Sequence, residues 1–468
     1  MFRRLMLAAG ILVLPAFALS QSVTVHSEPG QGDYQTIEEA LAAVQTDATG
    51  PDVITILDEG PFLEISWSIT GDPNNNPLTI EAAPGVRPIV ILQTTGFTAI
   101  NVEKNGDLTI RDLIFLPWSE APAPTSVPFR VFNIANALNG YNILLENILI
   151  SSNDGNDQPV ASLDGLTDPQ LDPNNLGDVV SFRGNAIKVR STETDQVYSL
   201  VLRDVIVSGM VNGATASGGF GIRGFMNGAP GSQWVIGEGC VISYNTNISG
   251  SMRGALQPGG NEGAVDIFRV EGTEEKPVKI INNTNYHGIH VTATNIEDSI
   301  KEFKWLVVAN NTQQGFWSQD SDEIYSFENV TIANNGLEAV NLSPAYVAAH
   351  SAVDSIFAGN GSEDAENVLS ILTSEEDDGS FTFTNSAVVM EGPYSFNSAM
   401  LDDTPDYLVF EDSITADPEF GSLDPSSADF INVNNEAYGA AGPGGEALRG
   451  AGEYTGPPPT SVSDWTLY

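Results

Sequence analysis

One phrase recurs along this chain and constrains its fold more than any other feature: an alternating apolar run, an Asn or Asp, then a second aliphatic run. It reads Leu108 to Ile114, Leu144 to Ile150, Leu200 to Ile206 and Tyr325 to Ile332, with Asp112, Asn147, Asp204 and Asn329 at the break. Each strand pair is expected to bend at that residue. Towards the C-terminus the phrase closes in an Asn-rich turn, at Asn282-Asn283, Asn310-Asn311, Asn334-Asn335 and Asn360. The aliphatic anchors Ile281, Val308, Ile332 and Ile356 stand 27, 24 and 24 residues apart. A period of this size, made of short strands without helices between them, marks a coil that stacks on copies of itself. Asn side chains at equivalent turns then hydrogen-bond up and down the stack, so their recurrence is structural. The expected fold is all-β, a right-handed parallel β-helix. About ten coils at roughly 4.8 Å each make a rod of about 50 Å.

The ends are read separately. Residues 1–20 follow the secretory plan: Arg3 and Arg4, an apolar run from Leu5 to Phe17, then small residues at Ala18 and Ser20. The mature chain is expected to begin near Gln21, and no later apolar run is long enough to span a bilayer. Residues 21–52 form an N-terminal cap whose helix places Ile37, Ala40, Leu41 and Val44 on one face, with Thr36 and Glu39 as a capping box. Covering the first coil hides its interior and its unpaired edge, which predicts a monomer. The β-helix spans 53–412 with an external loop at 151–178, its C-terminal end spans 413–456, and a Pro-rich linker and tail occupy 457–468.

A single cysteine, Cys240, excludes an intrachain disulfide and reads as a small buried hydrophobe beside Val241 and Ile242. The formal net charge is −43 and becomes −45 once Arg3 and Arg4 leave with the signal. Nucleic acid is therefore excluded as a partner. The acidity reads chiefly as a solvated surface, and in a sharper reading as calcium binding. Gln319, Asp320, Asp322 and Glu323 form one oxygen-rich cluster, and Asp154, Asn156 and Asp157 another; neither has EF-hand spacing.

The opening, Gly32-Asp33-Tyr34-Gln35-Thr36-Ile37 before a helix, then Val53-Ile54-Thr55-Ile56 and Gly60-Pro61-Phe62-Leu63-Glu64, resembles that of pectin lyase-like proteins. The ending, with Ala416-Asp417-Pro418-Glu419-Phe420 and Gly439-Ala440-Ala441-Gly442-Pro443-Gly444, is similar to that of many exported β-helix repeat proteins. The resemblance implies carbohydrate-active enzymes: lyases, glycoside hydrolases, esterases or epimerases acting on polysaccharides. It does not select among them. The signature runs of pectin methylesterases, polygalacturonases and pectate lyases are missing from this sequence.

Alternation supplies a second route to a site, because outward residues on successive coils line up. Strands following the Asn turns align inward Ile187, Ile222, Val265, Ile289, Phe316 and Val340. Their outward successors are Lys188, Arg223, Asp266, His290, Trp317 and Asn341, and two residues on come Arg190, Phe225, Phe268, Thr292, Gln319 and Ser343. Cations, aromatics and amides on one face suit a sugar-binding groove. Trp317 and Phe268 would stack on pyranose faces, and Asn341 and Gln319 would bond hydroxyls. Asp266 and His290 would serve as acid and base, with Lys188, Arg190 and Arg223 neutralising a uronate carboxylate. His287 has a weaker claim. A neutral glycan stays as open as an acidic one. The expected function is an extracellular polysaccharide-binding and polysaccharide-processing protein, lyase or hydrolase; the alternative is a non-catalytic surface or matrix adhesin.

Overall fold

A computed structural model describes residues 22–46, 50–71, 74–93, 98–119, 130–135, 140–162, 179–191, 195–212, 221–226, 229–248, 253–259, 266–292, 300–319, 324–342, 349–358, 369–371, 380–388, 408–411 and 413. The chain forms a parallel β-helix, as the repeat requires. Each coil contributes a strand to a first wall, to a second wall and then to a third, and the pairings between neighbouring coils are parallel. In one early coil these strands are Leu78–Ala82, Ile89–Leu92 and Ile100–Val102. Four longer strands, Tyr141–Ser151, Tyr198–Ser208, Ile300–Ala309 and Ile324–Ala333, run from the first wall into the second through a bend.

The bend falls where the recurring phrase puts it. Asp112, Asn147, Asp204 and Asn329 have φ of 65°, 53°, 48° and 54°. Asn and Asp enter this left-handed region most easily of the residues with a side chain, because a short polar group can bond locally. Here it bonds to the next coil: Asn147 Nδ2 donates to Asp112 Oδ1 at 2.6 Å. Gly239 takes the bend at φ 68° in the coil after Asp204, and one coil puts a bulky residue there. Trp305 stands opposite Asn329 in the register and is forced to φ 49°. The left-handed conformation costs an ordinary residue roughly 1–2 kcal/mol. Trp305→Asn is therefore expected to stabilise the protein by about 1 kcal/mol, read as a higher urea midpoint at unchanged slope; an equal or lower midpoint would refute it.

At the corner between the second and third walls a buried amide ladder runs along the axis. Asn245 Nδ2 donates to Asn283 Oδ1 at 2.9 Å, Asn283 Nδ2 to Asn311 Oδ1 at 2.8 Å and Asn311 Nδ2 to Asn335 Oδ1 at 3.0 Å. Each Oδ1 also accepts the backbone N–H of the residue one coil back. Inside the coil, aromatic side chains meet across rungs, Trp234 with Phe268 and Phe268 with Phe303 edge to face and Phe303 with Phe327 stacked. Cys240 lies in this core, and burial pushes its thiol up to about 12.

The helix Ile37–Val44 buries Ile37, Ala40, Leu41 and Val44 over the first coil, and Thr36 Oγ1 accepts the Glu39 N–H at 3.2 Å. The buried Glu64 carboxylate accepts the N–H groups of Ile37 and Glu38 at 2.8 and 3.1 Å, closing the positive end of the helix dipole. Before the helix, Ser22–Val25 already pairs with Asp52–Ile56, so the cap itself adds a strand to the first wall.

Outside the first wall, charges alternate from coil to coil. Register sets Glu81 against Arg111, Arg111 against Glu146 and Glu146 against Arg203; further on it sets Glu271 against Lys304 and Lys304 against Glu328. Arg111 pairs with Glu81, Arg269 with Glu302 at 2.6 Å, and Lys304 with Glu328 at 2.9 Å. No helix among the described residues is long and apolar enough to cross a membrane. The expected signal segment and the C-terminal tail lie outside the described residues, as does loop 151–178 from residue 163 onward.

Candidate functional site on the third wall

The third wall is a sheet of ten described strands whose register defines the outward column. Inward, Phe132, Ile187, Ile222, Leu256, Ile289, Phe316 and Val340 stack and are fully buried. Outward, the residues that follow them are Asn133, Lys188, Arg223, Gln257, His290, Trp317 and Asn341. Five of the residues expected in this column therefore share it: Lys188, Arg223, His290, Trp317 and Asn341. Arg190 stands two residues beyond Lys188 on the same strand, and Gln319 follows Phe316–Ser318.

Asp266 and Phe268 do not belong to this wall. The third-wall strand between those of Arg223 and His290 is Gly254–Pro258, so Gln257 occupies the place expected for Asp266. Asp266 instead leads into the first-wall strand Ile267–Glu271, and its Oδ2 accepts the Gly231 N–H at 2.6 Å. Phe268 points into the core, fully buried, with Trp234 and Phe303 at 5.5 and 6.0 Å between ring centroids, and cannot reach a sugar. The acid and base expected as neighbours are thus on different walls.

Among the metal candidates, Asp320, Asp322 and Glu323 lie outside the described residues. In the other cluster, Asp154 Oδ1 accepts the N–H groups of Asn156 and Gln158, and Asp157 Oδ1 accepts Ser119 Oγ and Asn153 Nδ2. These carboxylates fold their own loop. No cluster of three or more His, Cys, Asp or Glu among the described residues could hold a metal ion.

The centre of the wall is a ring cluster. His290 stacks on Trp317 with centroids 4.2 Å apart and planes 10° apart, and His287 lies 4.6 Å from the same indole. One face of Trp317 is thereby covered by imidazole. Glycine makes room: a Cβ on Gly254 would come within 2.8 Å of His290 Cβ, and one on Gly288 within 2.3 Å of Val308 Cγ1. Burial is the main reason both imidazoles resist protonation. It lowers His290 to about 4, with Arg253 and Arg223 adding to it, and lowers His287 to about 3, with His290 adding to it. His290 is 4% exposed. Its Nε2–H donates to Gln319 Oε1 at 3.3 Å, which leaves Nδ1 as a buried, unpartnered acceptor.

Sequence reading passed over several residues here. Arg253 and Gln257 lie in a segment rich in Gly and Pro that reads as loop. Arg130 and Arg183 sit ahead of the first anchors used for alignment. Glu338 precedes Val340 by two residues, as His287 precedes Ile289, and its Oε1 is 3.5 Å from Asn341 Nδ2. Arg183, Arg253 and Glu338 stand in the turns just ahead of third-wall strands, and no sequence signal marks them.

Fold and wall together define a class: a parallel β-helix with a cationic, imidazole- and indole-bearing face. Among solved structures, the crystal structure of pectate lyase Pel9A is similar at TM-score 0.43 and 12% identity, over 94% of this chain and 97% of that one. No protein-family model and no curated protein matches the sequence.

Proposed function

We propose that this is a secreted protein that binds and cleaves an acidic polysaccharide along its third wall by β-elimination. The observation that carries this reading is the gathering of scarce cations beside the ring cluster. Of eighteen Lys and Arg in the chain, six (Arg130, Arg183, Lys188, Arg190, Arg223 and Arg253) fall on four consecutive rungs or the turns leading into them. In a protein of net charge −43 such a strip is a local positive field for an anionic chain.

We assign the base to His290: its Nδ1 carries no proton, and the ring cluster must open for a sugar to reach that buried atom. His290 removes the proton from the carbon beside a uronate carboxylate, whose charge Arg223 and Arg253, the cations near enough to act on its imidazole, neutralise. The electron pair left behind forms the new C=C bond as the adjacent glycosidic C–O bond breaks, and the leaving oxygen takes up a proton. Asn341 and Gln319 hold hydroxyls, and the uncovered part of Trp317 packs against the sugar. Hydrolysis fits less well. It needs two facing carboxyl groups, and among the described residues of the third-wall strands from Arg130 to Leu342 and the turns just ahead of them Glu338 is the one acid.

His290→Gln is expected to cut turnover of an acidic polysaccharide by about 10²–10⁴-fold with binding retained. The assay follows unsaturated product on carboxylated, sulfated and neutral glycans, with reducing ends as a check. Turnover unchanged in the variant would remove His290 from the mechanism. The second reading, an adhesin that binds without cleaving, is favoured by how little of His290 is exposed. It predicts binding with no product from any substrate.

A further inference from the structure

The outward face of the third wall changes chemistry along its axis. From Asn133 through Lys188 and Arg223 to Gln257 the outward column carries only amides and cations, with Arg223 two rungs before His290 and Arg253 just ahead of the strand between them. Beyond the ring cluster the balance reverses. Two rungs past His290, in the coil of Val340, stand Glu338 and Asn341. The Gly288 N–H donates to Gln314 O and the Gly315 N–H to Glu338 O, both at 2.9 Å, so Glu338 follows Gln314 and His287 in register. What this rung offers a ligand is acceptors. Asn341 Nδ2 is turned to Glu338 Oε1 at 3.5 Å, which leaves Asn341 Oδ1 and Glu338 Oε2, each buried without a hydrogen-bond partner among the described residues. A buried acceptor without a donor is costly, and a ligand that brings O–H or N–H groups relieves that cost. A sugar carboxylate brings neither. It is itself negative and acceptor-only, and against Glu338 it is repelled.

We propose that Glu338 and Asn341 form a subsite for a sugar without a carboxylate, held through its hydroxyl, amide or ammonium donors, while the Arg223 and Arg253 side of the ring cluster takes the uronate. The proposal rests on the polysaccharide reading above and names its substrate class: an acidic chain in which uronates are interspersed with hexosamines or neutral sugars, rather than a homopolyuronate. At about 4.8 Å per rung the subsite lies roughly 10 Å along the axis from His290, about two sugars from the uronate that reacts. Glu338 thus acts by excluding a like charge and takes no part in the proton transfer.

The test uses the full chain and defined hexamers: hexagalacturonate, an alternating uronate and N-acetylhexosamine chain, its de-acetylated form, and an alternating uronate and neutral hexose chain. Calorimetry gives Kd and product absorbance gives KM. Wild type should bind at least one mixed chain about tenfold tighter than hexagalacturonate. Glu338→Gln keeps the shape and removes the charge, and should narrow that ratio roughly fivefold by admitting the carboxylate and loosening the hold on donors. Glu338→Ala should act in the same direction, and thermal unfolding checks that each variant folds. Whichever mixed chain is preferred identifies the donor. Hexagalacturonate bound as tightly as every mixed chain, or a preference that both variants leave untouched, would overturn the subsite and leave the proposed function standing. A preference narrowed in the variants, with no product from any chain, would uphold the subsite and remove the lyase. No binding of any hexamer would overturn both.

Discussion

Between pH 6.5 and about 4 the protein is expected to lose several kcal/mol of stability, because three of its four histidines are buried uncharged. Burial lowers His287 to about 3 and His290 and His350 to about 4, against an ordinary 6.5. A depressed folded-state value means that the unfolded chain binds the proton first. Stability is therefore full above pH 6.5 and falls as pH drops towards the folded values. Each unprotonated histidine contributes a slope of about 1.4 kcal/mol per pH unit, so three approach ~4 kcal/mol per unit near pH 5. The net charge of −43 works in the opposite direction, since acid relieves self-repulsion, and so the sign of the effect identifies the imidazoles. Urea unfolding across this pH range measures the slope, and His287→Asn/His290→Asn should reduce it to about a third. Constant stability from pH 7 to pH 5 would show that the rings are accessible to protons.

The second large effect is expected at the amide ladder. Asn311 accepts from Asn283 Nδ2 and Asn283 N, and donates to Ile280 O at 2.9 Å and Asn335 Oδ1 at 3.0 Å. Asn311→Ala removes these bonds within a buried corner. It strands the Ile280 carbonyl and the Asn283 N–H, each at a cost of about 1–3 kcal/mol. A loss of about 3 kcal/mol or more is expected. Asn311→Leu should do no better, because volume is not what the ladder lacks. Asn142→Ala, which removes an exposed amide bonded to Asp107, should stay within about 0.5 kcal/mol. Both come from urea or thermal unfolding of the variants, and equal losses at the two positions would show that the ladder adds nothing beyond ordinary side-chain bonding.

The bends and turns were legible because their backbone demands a particular residue. A left-handed φ at the bend selects Asn, Asp or, as at Gly239, Gly, and a polar corner inside a core selects a side chain that both donates and accepts. Trp305 shows the limit: the conformation persists there because its neighbours impose it, and the residue gives no sign of it. The column was legible from His290 to Asn341 because its coils keep a period near 24 to 27, and Lys188 and Arg223, 35 apart, joined it on strand alternation. It failed at Leu256, which stands eleven residues after the ladder's Asn245, where Ile289 and Phe316 stand six and five after Asn283 and Asn311. Choosing Val265 as the anchor there moved the alignment off the third wall and brought in Asp266 and Phe268. The ring cluster's burial was not legible, because an outward position on an isolated strand gives no hint that His287 and Trp317 will enclose His290.

The alternating charges outside the first wall bear on how the chain threads itself. Exposed ion pairs contribute little energy individually, and their value lies in telling one rung from the next. If a strand skipped a coil while winding, Glu81 would meet Glu146 and Arg111 would meet Arg203, acid on acid and base on base. Mis-wound intermediates would then repel where the native one attracts. The outside of the rod thus proofreads the order of its turns, and salt added during refolding should weaken that check.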